Sequence, residues 1–83
     1  MDNVFQSAFD QLVALGVTVY EGDYYGNENG FRISGEDGDA DYYMGGAAGY
    51  DDFGVKRTVN AVLEHNGLFA EWINSGVLGV YKA

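Results

Sequence analysis

The residues of this chain whose types and spacing could do chemistry are its carboxylates. Thirteen aspartates and glutamates stand in 83 residues, and nine lie in one stretch: Glu21, Asp23, Glu28, Glu36, Asp37, Asp39, Asp41, Asp51 and Asp52. Arg32 is the one cation among them, so residues 21–52 carry a formal charge of −8 in a chain of −9. Dense carboxylates serve three chemistries: paired acid–base catalysis, cation ligation, and recognition of another molecule's lysines and arginines. A glycosidase-type pair needs one carboxyl kept neutral in a cleft, and acids spread through glycine-rich turns do not supply it. Asp37-Gly38-Asp39-Ala40-Asp41 places carboxylates at alternate positions, as an EF-hand loop begins. The pattern then breaks, with Tyr42 where that loop needs glycine and Ala48 where it needs a bidentate glutamate.

Other catalytic constellations are equally thin. The chain has one histidine, His65, which falls near the expected end of a helix, and it has no cysteine. No serine stands in a nucleophile-elbow setting. Gly45-Gly46-Ala47-Ala48-Gly49 lacks the Lys-Ser/Thr of a phosphate loop, and its acidic surroundings repel phosphate. The expectation is a protein that is not an enzyme, with no cofactor and no metal site. Recognition is the chemistry that survives. Tyrosines are interleaved with the acids, and a rigid ring with a hydroxyl suits an interface and stacks on a partner arginine. The expected contact face comprises the nine acids, with Tyr24, Tyr43 and Tyr50 as anchors.

The elements that must position these residues can be read in part from periodicity. Val4, Phe5, Ala8, Phe9, Leu12 and Val13 recur at three- and four-residue spacing, which predicts an amphipathic helix over 3–15. Asn3 is the expected cap, with Gln6 as capping-box partner, and Gly16 the expected stop. Val17–Tyr20, Phe31–Ser34 and Asp41–Met44 read as three strands of an antiparallel meander, with Asn29-Gly30 supplying a positive-φ turn. In Tyr24-Tyr25 and Tyr42-Tyr43 strand alternation would turn one ring of each pair inward. A second helix is expected from about 52–54 to His65, capped by Asp52 and ended by Asn66-Gly67. Lys56 and Arg57 would then lie in its first turn, beside Asp51 and Asp52. The tail reads as a hairpin, 68–73 and 77–81, in preference to a helix. No internal repeat, proline or linker is evident. The prediction is one α+β domain over 1–83, two helices on one face of a small antiparallel sheet, in the order α-β-β-β-α-β-β.

Composition sets the partner class. An apolar content of 47% and aromatic content of 16% suffice for a packed core, which argues against disorder. No apolar run approaches the roughly 20 residues that span a bilayer, and Met1-Asp2-Asn3 lacks the basic start of a signal peptide. A cytoplasmic monomer is therefore expected, in a host cell if the gene belongs to a phage. A charge of −9 disfavours direct contact with nucleic acid or an anionic membrane, and a basic protein surface is its complement. B-DNA carries about one charge per 1.7 Å of axis, and proteins meet it with lysine- and arginine-lined grooves. An ordered acidic face could occupy such a groove.

In size, charge, lack of cysteine and α+β pattern, the whole chain resembles the small acidic proteins that phages and other mobile elements direct against host defences. Anti-CRISPR proteins and other DNA mimics are the best known. No specific motif carries the likeness, so no residue role transfers with it. The resemblance implies an inhibitor that binds a CRISPR effector complex and blocks its target-DNA or PAM-reading surface. The alternative is an acidic interaction module such as an immunity protein against a basic toxin nuclease.

Overall fold

A computed structural model describes residues Met1–Ala83. The elements run α1 (Asn3–Ala14), β1 (Val19–Glu21), β2 (Phe31–Ser34), α2 (Arg57–His65), β3 (Leu68–Asn74) and β4 (Val77–Lys82). The four strands form one antiparallel sheet in the order β1-β2-β4-β3.

Register decides which residues face the helices. Ile33 stands opposite both Val19 and Leu78, and Leu78 in turn opposite Trp72. Paired residues share a face, so Phe31, Ile33, Leu68, Ala70, Trp72, Leu78 and Val80 lie on one side. Both helices pack there, with Ala8 and Leu12 of α1 and Val59 and Leu63 of α2 completing the core. Phe31 is fully buried and meets Phe5 and Phe9 edge-on at 6.2 and 5.5 Å; its burial alone stabilises the fold by about 2 kcal/mol. The opposite face carries Tyr20, Arg32, Phe69, Glu71 and Tyr81. Arg32 lies over the Tyr20 ring and donates to the carbonyls of Glu21 and Gly22.

The α+β architecture with both helices on one face agrees with the sequence reading, and so does the terminal hairpin. Several local expectations need correction. Asp41–Met44 is not a strand, so the order is α-β-β-α-β-β. The Asp41 carboxylate accepts from the Tyr43 N–H at 3.0 Å, which folds the backbone into a turn instead of a ladder. Asp2, not Asn3, caps α1, its Oδ1 accepting from the Val4 N–H at 3.0 Å. Helix α2 starts at Arg57, not near Asp52, because Val55 and Lys56 are drawn into antiparallel bridges with Ala40 and Tyr50. Lys56 pairs with Asp39 at 3.4 Å rather than with Asp51 or Asp52. Neither Asn29 nor Gly30 has positive φ; Gly22 and Gly26 take that conformation in the 22–30 loop. No helix is long and apolar enough to cross a membrane.

Candidate binding site

Between β2 and α2 the chain makes an excursion, residues 35–56, without strand or helix. A loop longer than about 15 residues is uncommon in a compact domain and is usually functional or disordered. This one is closed by its own hydrogen bonds. Asp41 N–H donates to the Gly54 carbonyl, Gly46 N–H to that of Asp51 and Lys56 N–H to that of Asp39, at 2.7, 2.8 and 3.0 Å. The Tyr50 hydroxyl donates to the Gly38 carbonyl across the loop. Trp72 Nε1 donates to the Phe53 carbonyl at 2.7 Å, fastening the loop to β3.

One turn occurs three times in this chain. In Asp23-Tyr24-Tyr25, Asp41-Tyr42-Tyr43 and Asp51-Asp52-Phe53, the aspartate Oδ1 accepts the N–H two residues on, at 2.9, 3.0 and 2.8 Å. In each, the aspartate carbonyl also accepts from the residue three on. The aromatic at the third position is thereby thrown into solvent: Tyr25, Tyr43 and Phe53 are 74%, 82% and 71% exposed. Tyr24 and Tyr42 stack edge-on against their neighbours at 5.4 Å and are themselves half exposed. The expected inward turn of one ring per pair is therefore wrong: these rings sit on turns, where strand alternation does not apply. The Asp-x-aromatic spacing recurs at 23–25, 41–43 and 51–53, a short local signal that apolar periodicity does not carry.

The nine acids do not form one face. Strand β2 separates them by about 10 Å of backbone. Glu21, Asp23 and Glu28 lie before it, at the end where Asp23 and Tyr25 approach Tyr81. Glu36, Asp37, Asp39, Asp41, Asp51 and Asp52 lie after it, on the 35–56 loop beside the β3–β4 turn, where Gly35 N–H donates to the Gly76 carbonyl. Four of the nine are occupied within the fold. Asp23, Asp41 and Asp51 cap their turns, and Asp39 pairs with Lys56. Burial raises the Asp51 carboxyl, but the Val55 N–H, the Asn60 amide at 2.7 Å and the Phe53 N–H outweigh it and hold it below its ordinary value. Glu21, Glu28, Glu36, Asp37 and Asp52 remain exposed and make no side-chain hydrogen bond or ion pair within the chain. No three acidic or histidine side chains converge on one point.

Of the expected anchors, Tyr24 and Tyr43 are exposed, but Tyr50 is half-buried and its hydroxyl is spent on Gly38. Phe53, Met44 and Trp72 were not among the expected site residues, yet Phe53 and Met44 are exposed on the same loop as Tyr43. Between loop and sheet lies a cleft of about 510 Å³, whose apolar wall is Tyr42, Phe53, Val55, Ala70, Trp72 and Leu78. Its two charged residues, Asp51 and Glu71, are both acidic. Trp72 forms the floor: Tyr42 meets it edge-on at 5.6 Å, and Gly35 passes so close that a Cβ there would lie 2.7 Å from its ring. The arrangement joins an apolar cleft bordered by Asp51 and Glu71 to a loop that carries exposed aromatics and the unpaired Glu36, Asp37 and Asp52. Such a set can take up the aliphatic stem and cationic head of lysine or arginine.

The chain matches no protein-family model, no curated protein and no solved structure.

Proposed function

We propose that this protein acts by binding: it is an inhibitor that docks its 35–56 loop on a lysine- and arginine-lined surface of a nucleic-acid-binding protein. In keeping with its anti-CRISPR-like character, the partner is a subunit of a CRISPR effector complex, and the surface covered is one that reads target DNA or the PAM. It works in the cytoplasm, as a stoichiometric blocker and not as an enzyme. One observation supports this reading above others. A tightly hydrogen-bonded loop holds Tyr43, Phe53 and Met44 out of a small core that could have used them, and the same loop carries unpaired Glu36, Asp37 and Asp52. Exposed aromatics on a rigid frame are what interfaces are made from. Blocking requires no charge-for-charge copy of a duplex, because covering the arginines that touch DNA is enough.

The test is capture of a partner from host lysate by wild type and by the Tyr43→Ala/Phe53→Ala double variant, at low and high salt. The reading expects a nucleic-acid-binding protein, retained by wild type, lost from the double variant and weakened by salt. A partner retained equally by both proteins would rule out the loop as the contact. A toxin nuclease in the eluate would favour the immunity-protein alternative.

A further inference from the structure

Strand β3 is an edge of the sheet and, at seven residues, its longest strand. Natural proteins shield such edges with lysine, proline or a short run. Leu68-Phe69-Ala70-Glu71-Trp72-Ile73-Asn74 contains neither lysine nor proline. Its protection against self-pairing is the charge of Glu71 in mid-strand and, at one end, a skip in the pairing between Trp72 and Asn74. Hydrogen-bond alternation shows which groups are open. Ala83 N–H donates to the Gly67 carbonyl, so Phe69 and Glu71 are the residues that exchange bonds with β4. Leu68, Ala70 and Trp72 point their N–H and C=O groups away, and no backbone group of β3 bonds outside the β3–β4 ladder.

The cleft adjoins this strand on the helix-bearing face of the sheet. It is lined by three consecutive residues, Ala70, Glu71 and Trp72. Ala70 and Trp72 face the cleft from the helix-bearing side of the sheet, together with Leu78 of the neighbouring strand, so a strand added outside β3 would turn alternate side chains toward the same space. We infer that β3 is completed by an extended, cationic segment of the partner protein, added antiparallel or parallel along Ala70–Trp72. Alternate side chains of that segment enter the cleft between Tyr42, Phe53 and Trp72. Strand addition supplies affinity through the backbone and specificity through such pockets. Charge selects the occupant. A second copy of this chain would bring another −9 and a second Glu71 to the seam, whereas a lysine- or arginine-bearing strand meets Asp51 and Glu71 with opposite sign. This inference rests on the binding role proposed above and adds the form of the ligand.

The test uses the full chain, labelled with ¹⁵N, and two synthetic peptides of alternating lysine and valine. One is unmodified and the other carries N-methyl groups at every second residue, which removes its pairing donors on one edge. The unmodified peptide is expected to shift the Ala70 and Trp72 amides and the Trp72 indole, and to slow exchange of those two amides at least tenfold. N-methylation on the pairing edge and Ala70→Pro, which deletes an outward donor, are each expected to weaken binding about tenfold, one or two hydrogen bonds' worth. Equal binding of both peptides overturns strand addition. Shifts at Tyr43, Asp52 and Phe53 without slowed exchange at Ala70 and Trp72 also overturn it while leaving the loop as a binding site. Absence of any shift overturns both. Concentration-dependent slowing at Ala70 and Trp72 in the protein alone would assign the edge to a second copy and overturn the cationic partner.

Discussion

Trp72 Nε1 and the Phe53 carbonyl lie 2.7 Å apart, joining the middle of an edge strand to the tip of a loop nineteen residues earlier. The bond holds the Phe53 backbone while leaving its ring in solvent, so it fixes the frame from which the exposed aromatics project. Trp72→Phe keeps most of the apolar bulk and removes the donor. It is expected to lower stability by about 1 kcal/mol, seen as a reduced urea midpoint at unchanged slope. Faster amide exchange should appear at Gly54 and Val55, while α1 is unaffected.

Backbone closeness gives a sharper test. Gly54 has φ of +88°, and a Cβ there would overlap the Asp41 carbonyl oxygen. Gly46 has φ of +79° with open space around it. Gly54→Ala is therefore expected to destabilise by about 3 kcal/mol or more, against about 1 kcal/mol for Gly46→Ala. Equal costs in urea unfolding would show that the loop does not close on itself as described.

The carboxylates predict how stability responds to acid. Asp51 is held below its ordinary value of 3.8 by donors that overcome its burial. Asp2 is lowered by the Lys82 ammonium at 2.7 Å, with help from the Val4 N–H. A group whose folded pKa is depressed stabilises the fold above its unfolded pKa, and that stability is lost as pH falls through the folded value. Stability should be level from neutrality down to about pH 5 and decline below about pH 4. Asp51→Asn keeps the turn-capping oxygen but carries no charge. Its deficit relative to wild type should shrink between pH 7 and pH 3, which denaturation at the two pH values measures.

Exposed and pinned aromatics should separate cleanly. Tyr43→Ala and Phe53→Ala remove solvent-facing rings and are expected to change stability by no more than about 0.5 kcal/mol. Tyr50→Phe deletes the hydroxyl that bonds Gly38 and should cost about 1 kcal/mol. Thermal unfolding of the three variants would decide whether the two rings are free for a partner.

Legibility in the sequence followed the reach of the forces involved. Helix α1 and the 68–82 hairpin announce themselves through apolar spacing and Gly-centred stops, because each buries one face along its whole length. The 35–56 loop does not, because its shape comes from contacts between residues ten or more apart. Asp39, Ala40 and Asp41 meet Lys56, Val55 and Gly54; this pairing pulls the start of α2 to Arg57 and is invisible to local pattern. Asp41-Tyr42-Tyr43-Met44 looks like a strand by side-chain type, yet its first carboxylate captures its own backbone. Of the nine acids, Glu21, Glu28, Glu36, Asp37 and Asp52 are exposed, while Asp23, Asp39, Asp41 and Asp51 are taken up by turns or an ion pair that local pattern does not show. Their division into two ends of β2 required the sheet order, which composition does not encode. Trp72 and Phe53 escaped notice because a large apolar residue reads as core until its neighbours are known.

The central claim is that the loop bearing Tyr43 and Phe53 covers cationic residues that another protein uses to hold DNA. The direct measurement is displacement of fluorescent target DNA from a panel of purified, guide-loaded CRISPR effector complexes by this protein. The account predicts stoichiometric displacement from at least one complex by wild type, and at least about tenfold weaker displacement by Tyr43→Ala/Phe53→Ala, as loss of two interface anchors implies. Undiminished DNA binding across the panel, or displacement that the double variant performs as well as wild type, would contradict it.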